Sequence, residues 1–449
     1  MTKTIKLALV AAMAMGATSA FATNGDVLIG IGAKARGMGG VGIGMSHGAE
    51  SAHMNPALIT SIKGNNEISF GGTLFMPDLQ TTNSLFGPDG AGGYAQGPVT
   101  TADSDADTFV IPSVSLATKI NDNWYWGLGM WGTGGLGVDY RDTAESTLGG
   151  SHMSMVTSLQ LMQFGVPLAY TNNGMTIGVT PIIQYGALDI NYENPMAGDA
   201  TVGAGVSDDI AFGFNVGLAY ETNGFTIGAV YKSEIEMDFE DVLQNAISPM
   251  LQANPGSVAA YGAGMFPFEP TSSEYTNSKL SSPEEYGIGV SYTTGGHTLA
   301  VDYKLINWED AETYKDFGWE DQDVIAIGYE YATDTWAVRC GYQYAESAVQ
   351  DNKDKGLALD GQFQAAGNYS PMTGQPLNLT NTFNLLGFPG TQESHVTIGG
   401  TYAFNETLSM DIAAVFALEN TESATNFSGV EISTDHSEDS YSIQINYNF

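Results

Sequence analysis

Apolar and polar residues alternate with a period of two along most of this chain. Near residues 297–308, Leu299, Val301 and Tyr303 alternate with Ala300, Asp302 and Lys304. Such alternation indicates a β-strand with one apolar and one polar face. The pattern predicts fourteen strands, near residues 66–76, 109–120, 123–132, 154–171, 174–189, 210–222, 224–237, 284–294, 297–308, 321–333, 335–345, 394–404, 406–418 and 437–449.

The polar faces of these strands indicate which side meets lipid. Arg339 and Gln343 alternate with apolar residues near 335–345, and Ser409 and Asp411 do so near 406–418. These positions are too polar to line a hydrophobic ligand pocket inside a soluble barrel. In a membrane barrel the apolar face contacts lipid and the polar face lines the lumen, which accommodates both. The final strand alternates perfectly and ends on Phe449, as outer-membrane barrels typically do for recognition by the insertion machinery.

The predicted connections alternate between short and long. Two-residue turns such as Asn172–Asn173 and Gly295–Gly296 lie between strands. The long connections are 77–108, 133–153, 190–209, 238–283, 309–320, 346–393 and 419–436. Short periplasmic turns and long outer loops are typical of transmembrane barrels. The sequence therefore predicts an all-β fold, a transmembrane antiparallel β-barrel of about fourteen strands with both termini in the periplasm.

The N-terminus carries an export signal. Lys3 and Lys6 precede an apolar run over residues 7–17, and a small-residue cleavage pattern ends at Ala22. This arrangement is typical of a secretory signal peptide. We expect a signal peptide over 1–22, an N-terminal plug or hatch over 23–65 and the barrel over 66–449. The single cysteine, Cys340, excludes an internal disulfide.

The charge is strongly acidic, with 50 Asp and Glu against 14 Lys and Arg and a net charge of −36. This charge argues against nucleic-acid binding. Solvated loops and a polar lumen explain the acidity. The more specific alternative is divalent-cation binding near Asp103, Asp105 and Asp107. The glycine and the closing glutamate of a calcium loop are, however, missing there. The six histidines show neither metal-ligand spacing nor an arrangement with a serine nucleophile, so we expect no metal, no cofactor and no enzymatic activity.

Two segments stand outside the strand pattern. Residues 23–65 are rich in glycine, and Asn55 followed by Pro56 predicts the start of a short helix. In the 238–283 connection, five apolar residues have helical spacing: Val242, Leu243, Ile247, Met250 and Leu251. Such a helix facing the outside medium either binds a hydrophobic ligand or packs on neighbouring loops.

Several motifs in order along the chain resemble those of one family. They comprise Met38, Gly39 and Gly40; Asn55, Pro56 and Ala57; residues 231–235; residues 283–292; Asn307 with Trp308; Trp319 with Asp321; and residues 339–344. With these motifs the mature chain resembles the long-chain fatty acid transporter (FadL) family of outer-membrane proteins. The six residues of the first two motifs are similar to that family's N-terminal hatch.

The resemblance implies a barrel in the outer membrane of a Gram-negative bacterium, with the hatch blocking its lumen. A hydrophobic substrate would dock among the outer loops, enter an interior pocket and leave sideways through a gap at a kinked third strand. Glycine weakens a strand and often marks a bend, so Gly129 and Gly132 are our candidates for this lateral opening. The outer hydrophobic groove should involve Leu243, Ile247, Met250, Leu251, Met265, Phe266 and Phe268.

The substrate class stays open between fatty acids and hydrocarbons. Lys232, Lys304 and Arg339 are predicted to face the lumen and are candidate carboxylate partners. Alternatively, they form a charge network with Asp302, Glu234 or Glu330. The scarcity of cations leaves a neutral alkane or aromatic hydrocarbon as an alternative substrate, taken up by facilitated diffusion in either case.

Three other functions compete with hydrophobic uptake. A general diffusion porin would need an open constriction and no hatch. A barrel enzyme would need a nucleophile beside a histidine, and an adhesin would use the long loops alone. We expect hydrophobic small molecules, outer-membrane lipid and lipopolysaccharide as partners, and a monomer.

Overall fold

The computed structural model describes residues 24–88, 94–142, 150–194, 200–251, 275–349, 379–426 and 429–449. Within these residues, fourteen antiparallel strands close into one barrel, which confirms the predicted fold class. Their bounds are β1 Asn66–Asn83, β2 Phe109–Lys119, β3 Trp124–Asp139, β4 Val156–Gly165 continued by Leu168–Asn172, β5 Met175–Asn194, β6 Ser207–Thr222, β7 Phe225–Lys232, β8 Glu284–Thr294, β9 His297–Asn307, β10 Gln322–Ala332, β11 Trp336–Tyr344, β12 Ser394–Ala403, β13 Leu408–Thr425 and β14 Glu431–Asn448.

The described helices are short and lie in the hatch and the outer loops. In the hatch, α1 spans Gly32–Arg36 and α2 spans Ser51–Met54, with 3₁₀ turns at Gly48–Glu50 and Pro56–Ser61. The outer loops contain α3, Val242–Leu251, and α4, Leu379–Leu386. Among the described residues, no helix is both long and apolar enough to cross a membrane.

Pairing of the first and last strands closes the barrel. β1 pairs with β14 from Glu67 opposite Asn448 to Thr82 opposite Ser433, in unbroken register. On its other side β1 pairs with β2. Closure of this kind satisfies the backbone groups that an open sheet edge would present to lipid.

The two faces of the strands have the predicted orientation. On β9, Leu299, Val301 and Tyr303 are exposed on the outer face, whereas Asp302 and Lys304 are buried in the lumen. The exposed positions form the apolar surface that faces hydrocarbon, and the buried positions surround the hatch.

Several strands extend further than the apolar alternation predicted. β1 continues to Asn83, β3 to Asp139 and β13 to Thr425, all in segments we assigned to outer loops. The extensions of β1 and β13 are rich in threonine and acidic residues, whereas that of β3 is rich in glycine and buries Leu136 and Val138. Short strands add to this outer region: Phe86–Pro88 with Tyr94–Gln96, Thr100–Asp103 on β1, and Ala200–Val202 on β5.

Two predicted strands are interrupted. β4 was predicted as one run but breaks at Val166 and Pro167, since proline cannot donate a ladder hydrogen bond. β7 was predicted to reach residue 237 but ends at Lys232. The chain then forms a separate hairpin, in which Ile235–Asp238 pairs with Lys279–Ser282.

Candidate hatch and transport route

Residues 24–65, which precede β1, contact the lumenal face of the barrel. Met38 is fully buried, and the Gly39 N–H donates to Oγ1 of Thr397 on β12 at 2.8 Å. The wall is shaped for this contact, since a Cβ at Gly341 of β11 would lie only 2.2 Å from the Gly39 nitrogen. The glycines on both sides therefore permit close backbone approach. Sequence reasoning found the hatch glycines but missed their wall partners.

The Asn55 side chain organises the second hatch motif. Its Oδ1 accepts a hydrogen bond from the Ala57 N–H at 3.1 Å, and Pro56 opens the 3₁₀ turn, so the predicted short helix is present. Its Nδ2 donates to the carbonyl oxygens of Ile43 at 2.8 Å and of Leu218 on β6 at 3.2 Å. The amide thus caps a helical turn, ties two parts of the hatch together and joins both to the wall.

Asp302 binds the middle of the hatch from β9 of the wall. Its Oδ2 accepts the N–H groups of Gly42 and Ile43, each at 2.7 Å, and its Oδ1 accepts the N–H of Gly44 at 3.2 Å. Sequence reasoning assigned Asp302 to a network with lysine. The groups that donate hydrogen bonds to Asp302 belong to the backbone and lie more than 250 residues away in sequence. No pattern of side chains could have identified them.

The first described residues, 24–28, form what we call the lip. Val27 makes an antiparallel bridge with Gly134 of β3. The Leu28 N–H donates to the Thr133 oxygen at 3.2 Å, and the Gly135 N–H donates to the Asp26 oxygen at 3.0 Å. The lip therefore supplies β3 with part of a strand partner.

The lip docks where β3 has lost its partner on one side. Pairing between β2 and β3 stops at Ser113 opposite Trp131, while β3 continues to pair with β4. A register shift against β4 follows, between Gly132 and Gly134. Of our two candidates, Gly132 lies at this irregularity, whereas Gly129 is in regular pairing with both neighbouring strands. The role of either glycine in a lateral opening stays a prediction.

A tyrosine from an outer loop also binds the lip. The Tyr314 hydroxyl donates to Oδ2 of Asp26 at 2.6 Å. Burial raises the pKa of Asp26 to about 7, and the hydrogen bond from Tyr314 partly offsets that rise. Burial likewise raises the pKa of Tyr314, so the hydroxyl keeps its proton and acts as the donor. Asp26 therefore connects the outer loops to β3.

The predicted outer groove is closed where the structure describes it. The helix α3 is present, with Leu243 and Ile247 fully buried. Tyr192 of β5 donates its hydroxyl hydrogen to the carbonyl oxygen of Ala246 at 2.6 Å. Met250 and Leu251 lie on the same helix, and Met265, Phe266 and Phe268 lie outside the described residues. Packing on neighbouring elements, one of our two alternatives, therefore accounts for the first part of this helix.

The apolar core of the outer loops continues from α3 to an aromatic cluster above the lip. Trp308, Tyr314 and Trp319 pack with ring centroids 4.5 to 4.9 Å apart. Phe317 stacks on Phe383 of α4, with ring centroids 6.0 Å apart. A hydrophobic molecule that entered this core would meet the same loop that binds Asp26.

The lumenal cations have carboxylate partners that differ in part from our expectation. Lys232 and Lys304 share Glu285, with nitrogen–oxygen distances of 3.3 and 3.7 Å, and Lys304 also interacts electrostatically with Asp302, one of the expected partners. Lys232 and Glu285 are opposite each other in the β7–β8 register, which the sequence alone does not give. Arg339 pairs with Glu330 at 2.6 Å, as expected, and also approaches Asp411 at 3.6 Å. Asp411 further pairs with Lys34 of the hatch at 3.8 Å.

A small cavity of about 30 Å³ lies behind the docked lip. Its lining brings together the lip, the irregular part of β3 and the lysine pair, through Asp26, Thr133, Gly134, Lys232 and Glu285. A cavity of this size holds about two water molecules. In this arrangement the cavity is far smaller than an acyl chain or an aromatic ring would need.

Comparison with known proteins agrees with this architecture. The family model described as outer membrane protein transport protein (OMPP1/FadL/TodX) matches residues 8–357. The long-chain fatty acid transport protein of Escherichia coli O6:H1 is 23% identical over 426 residues, covering 84% of each chain.

Solved structures share the fold. A FadL homologue of Pseudomonas aeruginosa gives a TM-score of 0.64 at 14% identity, covering 95% of this chain and 100% of that one. The toluene transporter TodX of Pseudomonas putida gives a TM-score of 0.61 at 17% identity, covering 94% and 99%. The chain therefore belongs to the OMPP1/FadL/TodX family of outer-membrane proteins, which are transport channels for hydrophobic compounds and not enzymes.

Proposed function

We propose that this channel imports long-chain fatty acids by facilitated diffusion, with lateral exit into the membrane at β3. The route runs from the apolar outer loops, past the aromatic cluster, to the cavity behind the lip. Displacement of the lip from Thr133, Gly134 and Gly135 would then open the wall between β2 and β3. We further propose that it works as a monomer within the lipopolysaccharide layer.

Lateral exit suits the chemistry of the cargo. An acyl chain gains about 0.8 kcal/mol for each CH₂ that it removes from water. A water-filled axial pore would give none of this, whereas an apolar relay that ends in the bilayer keeps the chain desolvated throughout. The observation that carries this part of the proposal is the lip itself, which takes the place of β2 beside β3.

The lysine pair supports a carboxylate cargo. Two ammonium groups, from Lys232 and Lys304, share the single carboxylate of Glu285. Lys232 also lines the cavity behind the lip. An arriving fatty carboxylate can therefore pair with Lys232 without breaking the pair between Lys304 and Glu285, and a charge-assisted hydrogen bond would orient its head group.

A neutral hydrocarbon is the second candidate. Arg339 already contacts Glu330 and Asp411, and it thus offers little to a carboxylate. The outer-loop core is aromatic, and the solved structures that share the fold include toluene transporters. These observations favour an aromatic compound such as toluene as the substrate if Lys232 and Lys304 only stabilise the barrel wall and do not contact the cargo.

Uptake of radiolabelled oleate and toluene separates the two candidates. Cells that carry the gene should accumulate oleate several-fold faster than cells that lack it. Lys232→Met should lower oleate uptake and leave toluene uptake unchanged. Lys119→Met is the matched control, because the Lys119 side chain pairs with exposed Asp122 at a short turn rather than with a lumenal carboxylate. Equal uptake of both compounds with and without the gene would contradict the proposal.

A further inference from the structure

The contact between Asp302 and residues 42–44 is an unusual way to hold a plug. A single buried carboxylate accepts three consecutive backbone N–H groups, two of them at 2.7 Å. Asp302 is 3% exposed, so water competes poorly for these bonds. Hydrogen bonds to an ionised acceptor are roughly twice as strong as neutral ones. The bonds use no hatch side chain, and they therefore fix the path of the hatch backbone itself.

The neighbouring strand is shaped around this contact. A Cβ at Gly289 of β8 would lie 2.0 Å from Oδ1 of Asp302 and 2.5 Å from the Gly44 nitrogen. Two residues further along β8, the Ser291 hydroxyl donates to the Gly44 carbonyl oxygen at 2.7 Å. Within the hatch, Asn55 donates to the Ile43 carbonyl oxygen. Residues 42–44 are thus held through both their N–H and their carbonyl groups.

The lip is held differently. Its bonds to β3 include two neutral backbone hydrogen bonds of 3.2 and 3.0 Å, and the Tyr314 hydroxyl donates to Asp26. Asn24 adds a neutral side-chain bond to Gln343 at 3.1 Å. Neutral bonds of this kind contribute little net free energy each, because their partners exchange them for bonds to water. Residues 42–44 are therefore held by a carboxylate that accepts three amides, whereas the lip's hydrogen bonds to β3 join neutral backbone groups.

We propose that Asp302 is the positioning residue that keeps the centre of the hatch docked while the lip moves. This inference rests on the proposed lateral exit. It adds that residues 42–44 stay on Asp302 during transport, so that this carboxylate fixes the backbone at the centre of the hatch. Loss of the carboxylate would let this part of the hatch shift and would open the axial path to ions.

Ionic conductance of the purified protein in planar bilayers tests the anchor. Asp302→Asn removes the charge and turns an N–H donor toward the hatch amides, and Gly289→Ala displaces the carboxylate by steric contact. Both variants should conduct ions several-fold more than the wild type. Asp323→Asn is the matched control, because Asp323 is exposed on the neighbouring strand and accepts a bond from Tyr303. Wild-type conductance from heat-modifiable, folded variants would overturn the proposal.

Hydrogen exchange of the wild-type protein provides a test that requires no variant. The amides of Gly42, Ile43 and Gly44 should exchange at least several-fold more slowly than the Leu28 amide. Equal rates, or faster exchange at 42–44, would overturn the anchor even if the substitutions prevented folding. Neither measurement uses substrate. A wild-type protein that takes up neither oleate nor toluene would refute the proposed function and leave the result on the anchor standing.

Discussion

Asn55→Ala perturbs the hatch at a defined set of contacts. The buried amide makes three hydrogen bonds, one accepted from Ala57 and two donated to Ile43 and Leu218. Each net hydrogen bond contributes about 0.5–1.5 kcal/mol, and leaving buried partners unsatisfied adds to the loss. We therefore expect hatch docking to weaken by about 2–4 kcal/mol, which corresponds to an increase in transient opening of about 30- to 1,000-fold.

Hydrogen exchange followed by mass spectrometry measures that opening directly. In Asn55→Ala, peptides from residues 38–61 should exchange faster by roughly that factor, while peptides from β1 and β14 keep their protection. Uptake of oleate should fall, because the lip is no longer presented to β3 in register. Insertion of the barrel, read from heat-dependent mobility on gels, should be unchanged.

Asn405→Ala is the matched control for Asn55→Ala. Asn405 also caps a turn, accepting the N–H groups of Thr407 and Leu408, but it lies exposed at a short turn between β12 and β13. It should alter neither hatch exchange nor uptake. The reasoning would be refuted by Asn55→Ala with wild-type exchange in the hatch and wild-type uptake, or by equal effects of both substitutions.

Three further predictions concern the lip, the wall and the outer loops. The raised pKa of Asp26 means that its protonated form stabilises the docked lip: this stabilisation is complete below about pH 4 and is lost as the pH rises through about 7. Exchange of lip amides, corrected for intrinsic rates, should therefore accelerate between pH 6 and 8, and Asp26→Asn should abolish this dependence. Gly341→Ala should undock the hatch and raise ionic conductance, because the new Cβ would lie 2.2 Å from the Gly39 nitrogen. Gly400→Ala is the control and should leave the conductance unchanged, since its Cβ would come no closer than 3.2 Å to any atom. Leu243→Ala should destabilise the loop core by about 2–5 kcal/mol and slow oleate uptake at low concentration, whereas exposed Glu240→Ala should leave the uptake rate unchanged.

Alternation predicted the barrel because lipid and lumen impose opposite demands on successive residues. The prediction ended too early where the apolar alternation fades: β1 and β13 continue through segments in which threonine and acidic residues replace the apolar positions. The partners of Lys232 and Asp302 were missed for a different reason. Register across strands decides that Glu285 faces Lys232, and the partner of Asp302 is backbone, which carries no residue-specific signal.

The hatch motifs were found because glycine, asparagine and proline have restricted uses in backbone geometry. Asn55 was correctly placed as a cap from its position before Pro56. Its two donated bonds reach Ile43 and Leu218, and these depend on the folded arrangement. Local chemistry was therefore predictable, whereas contacts between hatch and wall required the closed barrel.

A disulfide between the lip and β3 tests the central claim of lateral exit. Leu28 and Thr133 oppose each other in an antiparallel contact, where Cα atoms are about 4.5–5.5 Å apart and a disulfide can form. The lip variant combines Leu28→Cys with Thr133→Cys. The free cysteine is removed by Cys340→Ser so that it cannot form a competing disulfide. The control variant instead carries Thr73→Cys with Ser442→Cys, two positions that pair within the β1–β14 wall.

The decisive quantity is the rate of substrate uptake by cells, measured with oleate and with toluene before and after reduction of the disulfide. We predict that the oxidised lip variant transports neither compound, that reduction restores transport, and that the wall pair transports in both states. Undiminished uptake of either compound through the oxidised lip variant would contradict exit through the wall at β3.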